Sequence, residues 1–189
     1  MRIISGTARG TKLFTLDGEN TRPTLDRVKE SLFNIIKNDI CDSVVLDLFS
    51  GSGAIGLEFA SRGAKKVYLC DNSKDAVIII EKNIVKTHLE EKVKLFNLDY
   101  LNMIRKINNE KFDFIYLDPP YKTDYIITSI KEIIKQELLN DDAIIIVETD
   151  DLNRIIGHIE KISEIKIVDN RKYGRANIIF LKKITGKEE

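Results

Sequence analysis

The chain reads as an α/β protein built on a doubly wound, mostly parallel sheet, and three observations predict it. Short apolar runs alternate with helical patterns from residue 44 onward. The first of these runs, Val44-Val45-Leu46, leads through Asp47 into a glycine loop (Gly51, Ser52, Gly53) and a helical pattern starting near Ala54. Acids also stand at or just after the ends of successive runs: Asp47, Asp71, Asp99 and Asp118. In such sheets ligands bind beyond the carboxyl ends of the strands, so these acids are candidate site residues.

Ahead of that region, Arg2-Ile3-Ile4-Ser5 and Lys12-Leu13-Phe14-Thr15 predict two short strands joined as a hairpin through Gly6 to Gly10. Residues 1–21 are read as a basic N-terminal extension, carrying Arg2, Arg9 and Lys12, and residues 22–189 as the main domain. A helix is expected over 26–37, with Thr24 or Asp26 as its N-cap and Val28, Leu32, Ile35 and Ile36 on its buried face. Arg22, Arg27 and Lys29 fall around its start and outer side. Strands are expected at 44–47, 66–70, 93–97, 112–117 and 143–148, and helices at 54–62, 74–87, 99–108, 124–138 and 151–160. Two further runs, 163–169 and 176–182, are separated by Asn170 to Gly174. So short a link joins antiparallel neighbours, which gives a seven-stranded sheet closed by a hairpin. Residues 183–189 read as a polar tail.

Composition narrows the classes. With 189 residues the chain can bury one sizeable core. Its 30 basic and 30 acidic side chains give a formal net charge of +0, which argues against indiscriminate nucleic-acid binding but leaves room for a local basic face. Cys41 and Cys70 have neither metal spacing nor a disulfide framework, and no apolar run reaches membrane-spanning length. A cytoplasmic location without metal, membrane or obligate protein partner is the expectation.

The glycine loop admits two cofactor classes. Gly51, Gly53 and Gly56 spell G-x-G-x-x-G with Asp71 about twenty residues on, which fits a dinucleotide fingerprint by spacing. Asp47 opposes that reading, because a pyrophosphate at the helix N-terminus would be repelled by a carboxylate at the strand tip. S-adenosylmethionine has no phosphate. Asp47 would pair with its ammonium, loop N–H groups would take its carboxylate, Asp71 the ribose hydroxyls, and Asp99 the adenine amine. Each acid could instead be a plain cap or loop residue.

The fourth central run ends in Asp118-Pro119-Pro120-Tyr121. Prolines alone would terminate a strand. The tetrapeptide also suits methylation of an exocyclic base amine, a poor nucleophile whose lone pair is delocalised into the ring. The Asp118 carboxylate and the Pro119 carbonyl are two acceptors for its N–H groups, the prolines stiffen them, and Tyr121 offers a stacking surface.

With these motifs in view, the chain resembles the RsmD family of guanine-N2 methyltransferases of bacterial small-subunit (16S) ribosomal RNA. The resemblance rests on Arg2-Ile-Ile-Ser-Gly6 with Arg9-Gly10, on Arg22-Pro-Thr and Asp26-Arg27 through Asn34, on Asp47 to Gly53, on Asp118 to Tyr121 and on Lys172-Tyr-Gly-Arg175. It implies a Rossmann-like class I fold dependent on S-adenosylmethionine, with S-adenosylhomocysteine as product and 16S rRNA within an assembly particle as partner. It further implies that Asp118, Pro119, Pro120 and Tyr121 hold the base, and that Asp47, Gly51, Gly53, Asp71 and Asp99 hold the cofactor. Arg2, Arg9, Lys12, Arg22, Arg27, Arg171, Lys172 and Arg175 would contact RNA. The residues leave two other readings open: an adenine-N6 methyltransferase acting on DNA or RNA, and a non-catalytic RNA-binding assembly factor.

Overall fold

Helices and strands follow one another as the alternating runs predict: α1 (Pro23–Ile35), β1 (Val44–Asp47), α2 (Ala54–Ser61), β2 (Lys66–Asp71), α3 (Lys74–Thr87), β3 (Val93–Asn97), α4 (Tyr100–Lys106), β4 (Phe112–Leu117), α5 (Tyr125–Lys135), β5 (Leu139–Thr149), α6 (Leu152–Ile159), β6 (Ile165–Tyr173) and β7 (Ala176–Lys183). The structure, a computed structural model, describes residues 1–16, 23–107, 109–120 and 123–184. Arg22, Tyr121 and most of the expected polar tail lie outside the described residues. Seven strands form one sheet in the order β3-β2-β1-β4-β5-β7-β6, and the chain divides into two compact units, Met1–Tyr100 and Leu101–Glu189.

In the first unit β1, β2 and β3 pair in parallel, with Val45 opposite Val67 and Leu69 opposite Leu95. Buried Val45 and Leu46 in β1, with Val67 and Leu69 in β2, explain why these strands are near-continuous apolar runs. Helix α1 starts at Pro23, so Asp26 sits in its first turn rather than at the N-cap. Its buried face is Val28, Leu32 and Phe33, continued by Ile36 just past its end, whereas Ile35 is exposed. Phe33 meets the ring of Phe59 edge-on at 4.7 Å and carries the Arg62 guanidinium on its face, also at 4.7 Å. Two aromatic contacts therefore turn the helix by one position from the periodicity reading.

The N-terminal arm does pair with itself in the antiparallel sense, but by a single bridge, Arg2 to Lys12, flanked by Ile3 N–H to Thr11 O at 3.0 Å and Leu13 N–H to Met1 O at 3.0 Å. It is not a solvated hairpin. Ile3, Ala8 and Leu13 are buried, and the arm lies flush on the last turn of α2. Thr7 N–H donates to Ser61 O at 2.9 Å, Ala8 N–H donates to Ser61 Oγ at 3.0 Å, and Ser61 Oγ donates to Ser5 O at 2.6 Å. A Cβ on Gly6 would stand 1.8 Å from Ser61 O, at a φ of +83°. Only glycine fits that position.

Glu58 is the keystone of this packing. Its carboxylate is wholly buried and accepts four donors: Ile4 N–H at 2.8 Å, Ser5 N–H at 3.0 Å, Lys29 Nζ at 3.1 Å and Arg62 Nε at 2.7 Å. Lys29, expected on the outer side of α1, is buried instead, and it donates a second bond to Arg2 O at 2.6 Å. Burial pulls its ammonium below the ordinary lysine range, an effect that Glu58 opposes.

In the second unit β4 pairs with β5 in parallel, while β7 runs antiparallel to both β5 and β6. Strand β5 begins four residues before the expected 143, because Leu139 already pairs with Phe112. The polar stretch Asn140-Asp141-Asp142 reads as a loop, but it forms an irregularity in the ladder, with Asn140 Nδ2 bonded to Asp113 Oδ1 at 2.6 Å. Strand β6 likewise runs on through Arg171 and Lys172, so that Gly174 (φ +62°) and Arg175 alone turn the hairpin.

Replacing Glu58 with Ala strands the buried Lys29 charge and two backbone donors. The expected loss is about 3–5 kcal/mol of folding stability, as for removing one partner of a buried pair, read as a lowered denaturation midpoint. Glu58→Ala combined with Lys29→Met should recover part of that loss. A double variant no more stable than Glu58→Ala alone would mean that the buried charge is not the source of the cost.

Candidate functional site

The end of β1 is fixed by a carboxylate with two different oxygens. Asp47 is buried, and its Oδ2 accepts the N–H of Gly56 at 3.1 Å, on the first turns of α2. That bond is a helix-capping contact, so the plain reading of Asp47 holds for one oxygen. Its Oδ1 is buried and meets no hydrogen-bond donor among the described residues. Burial, with Asp71 nearby, pushes the carboxyl from an ordinary 3.8 up to about 7. The third glycine of the fingerprint serves packing here. A Cβ on Gly56 would lie 2.1 Å from Leu69 Cδ2 and 3.4 Å from Asp47 Oδ2.

The loop between β1 and α2 holds itself together through its own backbone. Gly51 N–H donates to Asp71 Oδ2 at 2.9 Å, and Gly53, with φ +78°, donates to Ser50 O at 2.6 Å. These two N–H groups, expected to receive a ligand carboxylate, meet internal acceptors in the structure. Asp71 Oδ1 takes the Ser73 N–H at 2.9 Å, so each oxygen of that half-buried carboxylate accepts one backbone donor and keeps lone-pair capacity. Asp99 precedes α4 and is half-buried, and the neighbouring Leu98 carbonyl accepts from Cys70 Sγ at 3.2 Å. Burial pushes the Cys70 thiol up to about 12, so it is neither a nucleophile nor a ready metal ligand. The structure thus brings Asp47, Gly51, Gly53 and Asp71 together at one end of the first unit's strands.

Periodicity missed one residue in this neighbourhood. Asn83 on α3 is wholly buried; its Oδ1 accepts Phe14 N–H at 2.8 Å, and its Nδ2 donates to Phe14 O and to Ser52 O, both at 2.9 Å. One amide therefore ties the end of the N-terminal arm to the glycine loop. The signal was present: Asn83 falls in step with the buried positions Ala76, Ile80, Ile84 and Thr87 of α3.

In the second unit Asp118 and Pro119 follow β4 directly, Asp118 half-buried and Pro119 buried. The Pro120 carbonyl accepts from Thr123 Oγ1 at 2.9 Å. Among the basic residues, Arg2, Arg9, Lys12 and Arg27 are exposed in the first unit, and Arg171, Lys172 and Arg175 are exposed at the β6–β7 hairpin of the second. Arg171 Nε is paired with Asp169 at 2.8 Å. Among the described residues there is no group of acids, histidines and cysteines suited to a metal ion, and no helix is long and apolar enough to cross a membrane.

The donor set expected of S-adenosylmethionine fits these acceptors. Its ammonium suits the unmatched Oδ1 of Asp47, and its ribose hydroxyls suit the two Asp71 oxygens. A pyrophosphate suits neither carboxylate.

The family model described as Conserved hypothetical protein 95 matches residues 1–182. The protein named Ribosomal RNA small subunit methyltransferase D of Haemophilus influenzae is 38% identical over 152 residues, covering 79% of each chain. YlbH of Bacillus subtilis is 31% identical over 185 residues, 97% of this chain and 99% of the other. Among solved structures, yhhF from Escherichia coli superposes with a TM-score of 0.81 at 27% identity, over 97% of both chains.

The raised Asp47 carboxyl makes a signed prediction. The folded state keeps a proton that the unfolded chain releases from about pH 4, so this contribution to stability is present below that pH and is lost as pH rises through about 7. Asp47→Asn, neutral throughout, should therefore raise the melting temperature of the ligand-free protein, by more at pH 8 than at pH 5. The same variant should lose affinity for S-adenosylhomocysteine by calorimetry. A pH-independent difference in melting temperature would contradict the buried ionisation. Asn83→Leu should lower the melting temperature and weaken S-adenosylhomocysteine binding, because Ser52 and Phe14 both lose their partner.

Proposed function

The chain belongs to the RsmD family, and from that premise we propose that it transfers a methyl group from S-adenosylmethionine to the exocyclic N2 amine of one guanine in small-subunit ribosomal RNA. The carrying observation is Asp118-Pro119 directly after β4 in a chain of this family, together with the unmatched buried oxygen of Asp47. The choice of RNA is supported by relatives named as small-subunit ribosomal RNA methyltransferases.

When bound, the cofactor supplies an electrophilic methyl on a positively charged sulfur. The protein's task is to hold and to orient. Asp47 pairs with the cofactor ammonium, Asp71 with the ribose hydroxyls and Asp99 with the adenine amine. The Asp118 carboxylate and the Pro119 carbonyl each accept one N–H of the guanine amine, which draws the nitrogen lone pair out of the ring and stabilises the positive charge that grows there. The amine gives up one proton after transfer, and Asp118 is its first acceptor. Tyr121 stacks on the extruded base. The exposed Arg2, Arg9, Lys12 and Arg27, with Arg22, and the hairpin residues Arg171, Lys172 and Arg175 contact phosphates. An assembly particle in the cytoplasm is the proposed substrate.

Tritiated methyl transfer to naked RNA and to small-subunit particles lacking the modification, followed by nucleoside analysis, tests the proposal. N2-methylguanosine is expected; N6-methyladenosine, or no incorporation, would overturn it. Asp118→Ala should retain S-adenosylhomocysteine binding and lose transfer by orders of magnitude, since it acts on the transition state more than on the cofactor. Arg9→Glu should weaken particle binding in a salt-dependent way with cofactor affinity unchanged, and an effect insensitive to salt would remove Arg9 from the RNA-contacting set.

A further inference from the structure

We infer that Glu148 reads the N1–H of the target base and thereby selects guanine over adenine; this rests on the guanine-N2 reading above. Strand β5 from Ala143 to Thr149 is an apolar run broken by one charge, Glu148, on a half-buried position. A carboxylate there costs solvation that the fold does not require, since a valine or isoleucine would complete the strand. The donor it meets is the phenolic hydroxyl of Tyr116, a buried residue of β4. Burial pushes the Glu148 carboxyl above the ordinary glutamate range, whereas the Tyr116 hydroxyl favours its ionised, accepting form.

Register connects Glu148 to the chemistry. Tyr116 lies opposite Ile146 and Leu117 opposite Val147, so the next position along β5 is Glu148 and the next along β4 is Asp118. Side chains alternate across a strand, which gives Asp118 the same face as Tyr116, and the Tyr116 bond shows that Glu148 is on that face too. Neighbouring strands run about 4.8 Å apart. Two carboxylates carried on one face of strands with that backbone spacing suit the guanine edge, where the N2 amine and the N1–H are adjacent donors. A base whose amine is held by Asp118 presents N1–H to Glu148. Adenine offers a lone pair at N1 beside its amine, and this would face the carboxylate unpaired. A site built to accept a donor rejects an analogue that lacks it.

The test uses small-subunit particles whose RNA carries guanine or 2,6-diaminopurine at the target position. The analogue keeps the N2 amine but has no N1–H. Wild type should prefer guanine in kcat/KM by roughly 10- to 150-fold, the range for one hydrogen bond to a charged group. Glu148→Gln should lose at least about tenfold on guanine, change little on diaminopurine and bring the ratio toward one. An unchanged ratio in Glu148→Gln, with S-adenosylhomocysteine binding intact, would overturn the inference. A wild-type ratio near one would overturn it without any variant, whether or not Glu148→Gln folds. No N2 methylation of guanine by wild type would remove the parent reading; N2 methylation with an unaltered ratio would remove this inference alone.

Discussion

A single buried carboxylate organises the first half of the molecule. Glu58 gathers two backbone N–H groups of the arm, the ammonium of Lys29 on α1 and the guanidinium of Arg62 at the end of α2. Each of these donors would be costly to bury alone, and the carboxylate would be costlier still. Together they close a circuit in which every charge has a partner. The circuit, more than the lone Arg2–Lys12 bridge, gives the arm its defined position. It also leaves the arm's exposed cations, Arg2, Arg9 and Lys12, on a fixed backbone.

Asp47 shows the opposite arrangement in the same unit. One of its oxygens is satisfied by Gly56, and the other is buried and meets no donor among the described residues. A residue selected for stability would not leave that oxygen unmatched, and an asparagine would retain the helix contact at no ionisation cost. Such a cost is common where a protein waits for a cationic ligand group. The contrast between Glu58 and Asp47 separates a structural acid from a candidate binding acid by the number of donors each one has.

The sequence made the sheet legible where its strands are buried and therefore nearly uninterrupted: 44–47 and 112–117 have the expected bounds, as does the edge strand 93–97, which has no buried residue. It failed where polar residues do internal work. Glu58 and Arg62 drew no reading at all, Lys29 read as an outer-face cation, and Asn140 to Asp142 fell outside the expected strand. Their roles depend on partners 27 to 54 residues away, which no local pattern carries. At the candidate site, the grouping of Asp47, Gly51 and Asp71 followed from strand-end logic. The occupied N–H groups of Gly51 and Gly53 did not, because backbone pairing within a loop leaves no trace in residue type.

The seat of the arm also bears on how the chain is made. Residues 4 to 8 bond to Glu58 and Ser61, so they leave the ribosome with nowhere to dock until α2 has followed them. Through that interval the arm is a basic, undocked segment beside the translation machinery. Docking of the arm is in this sense a late event, timed by synthesis of a helix more than fifty residues downstream.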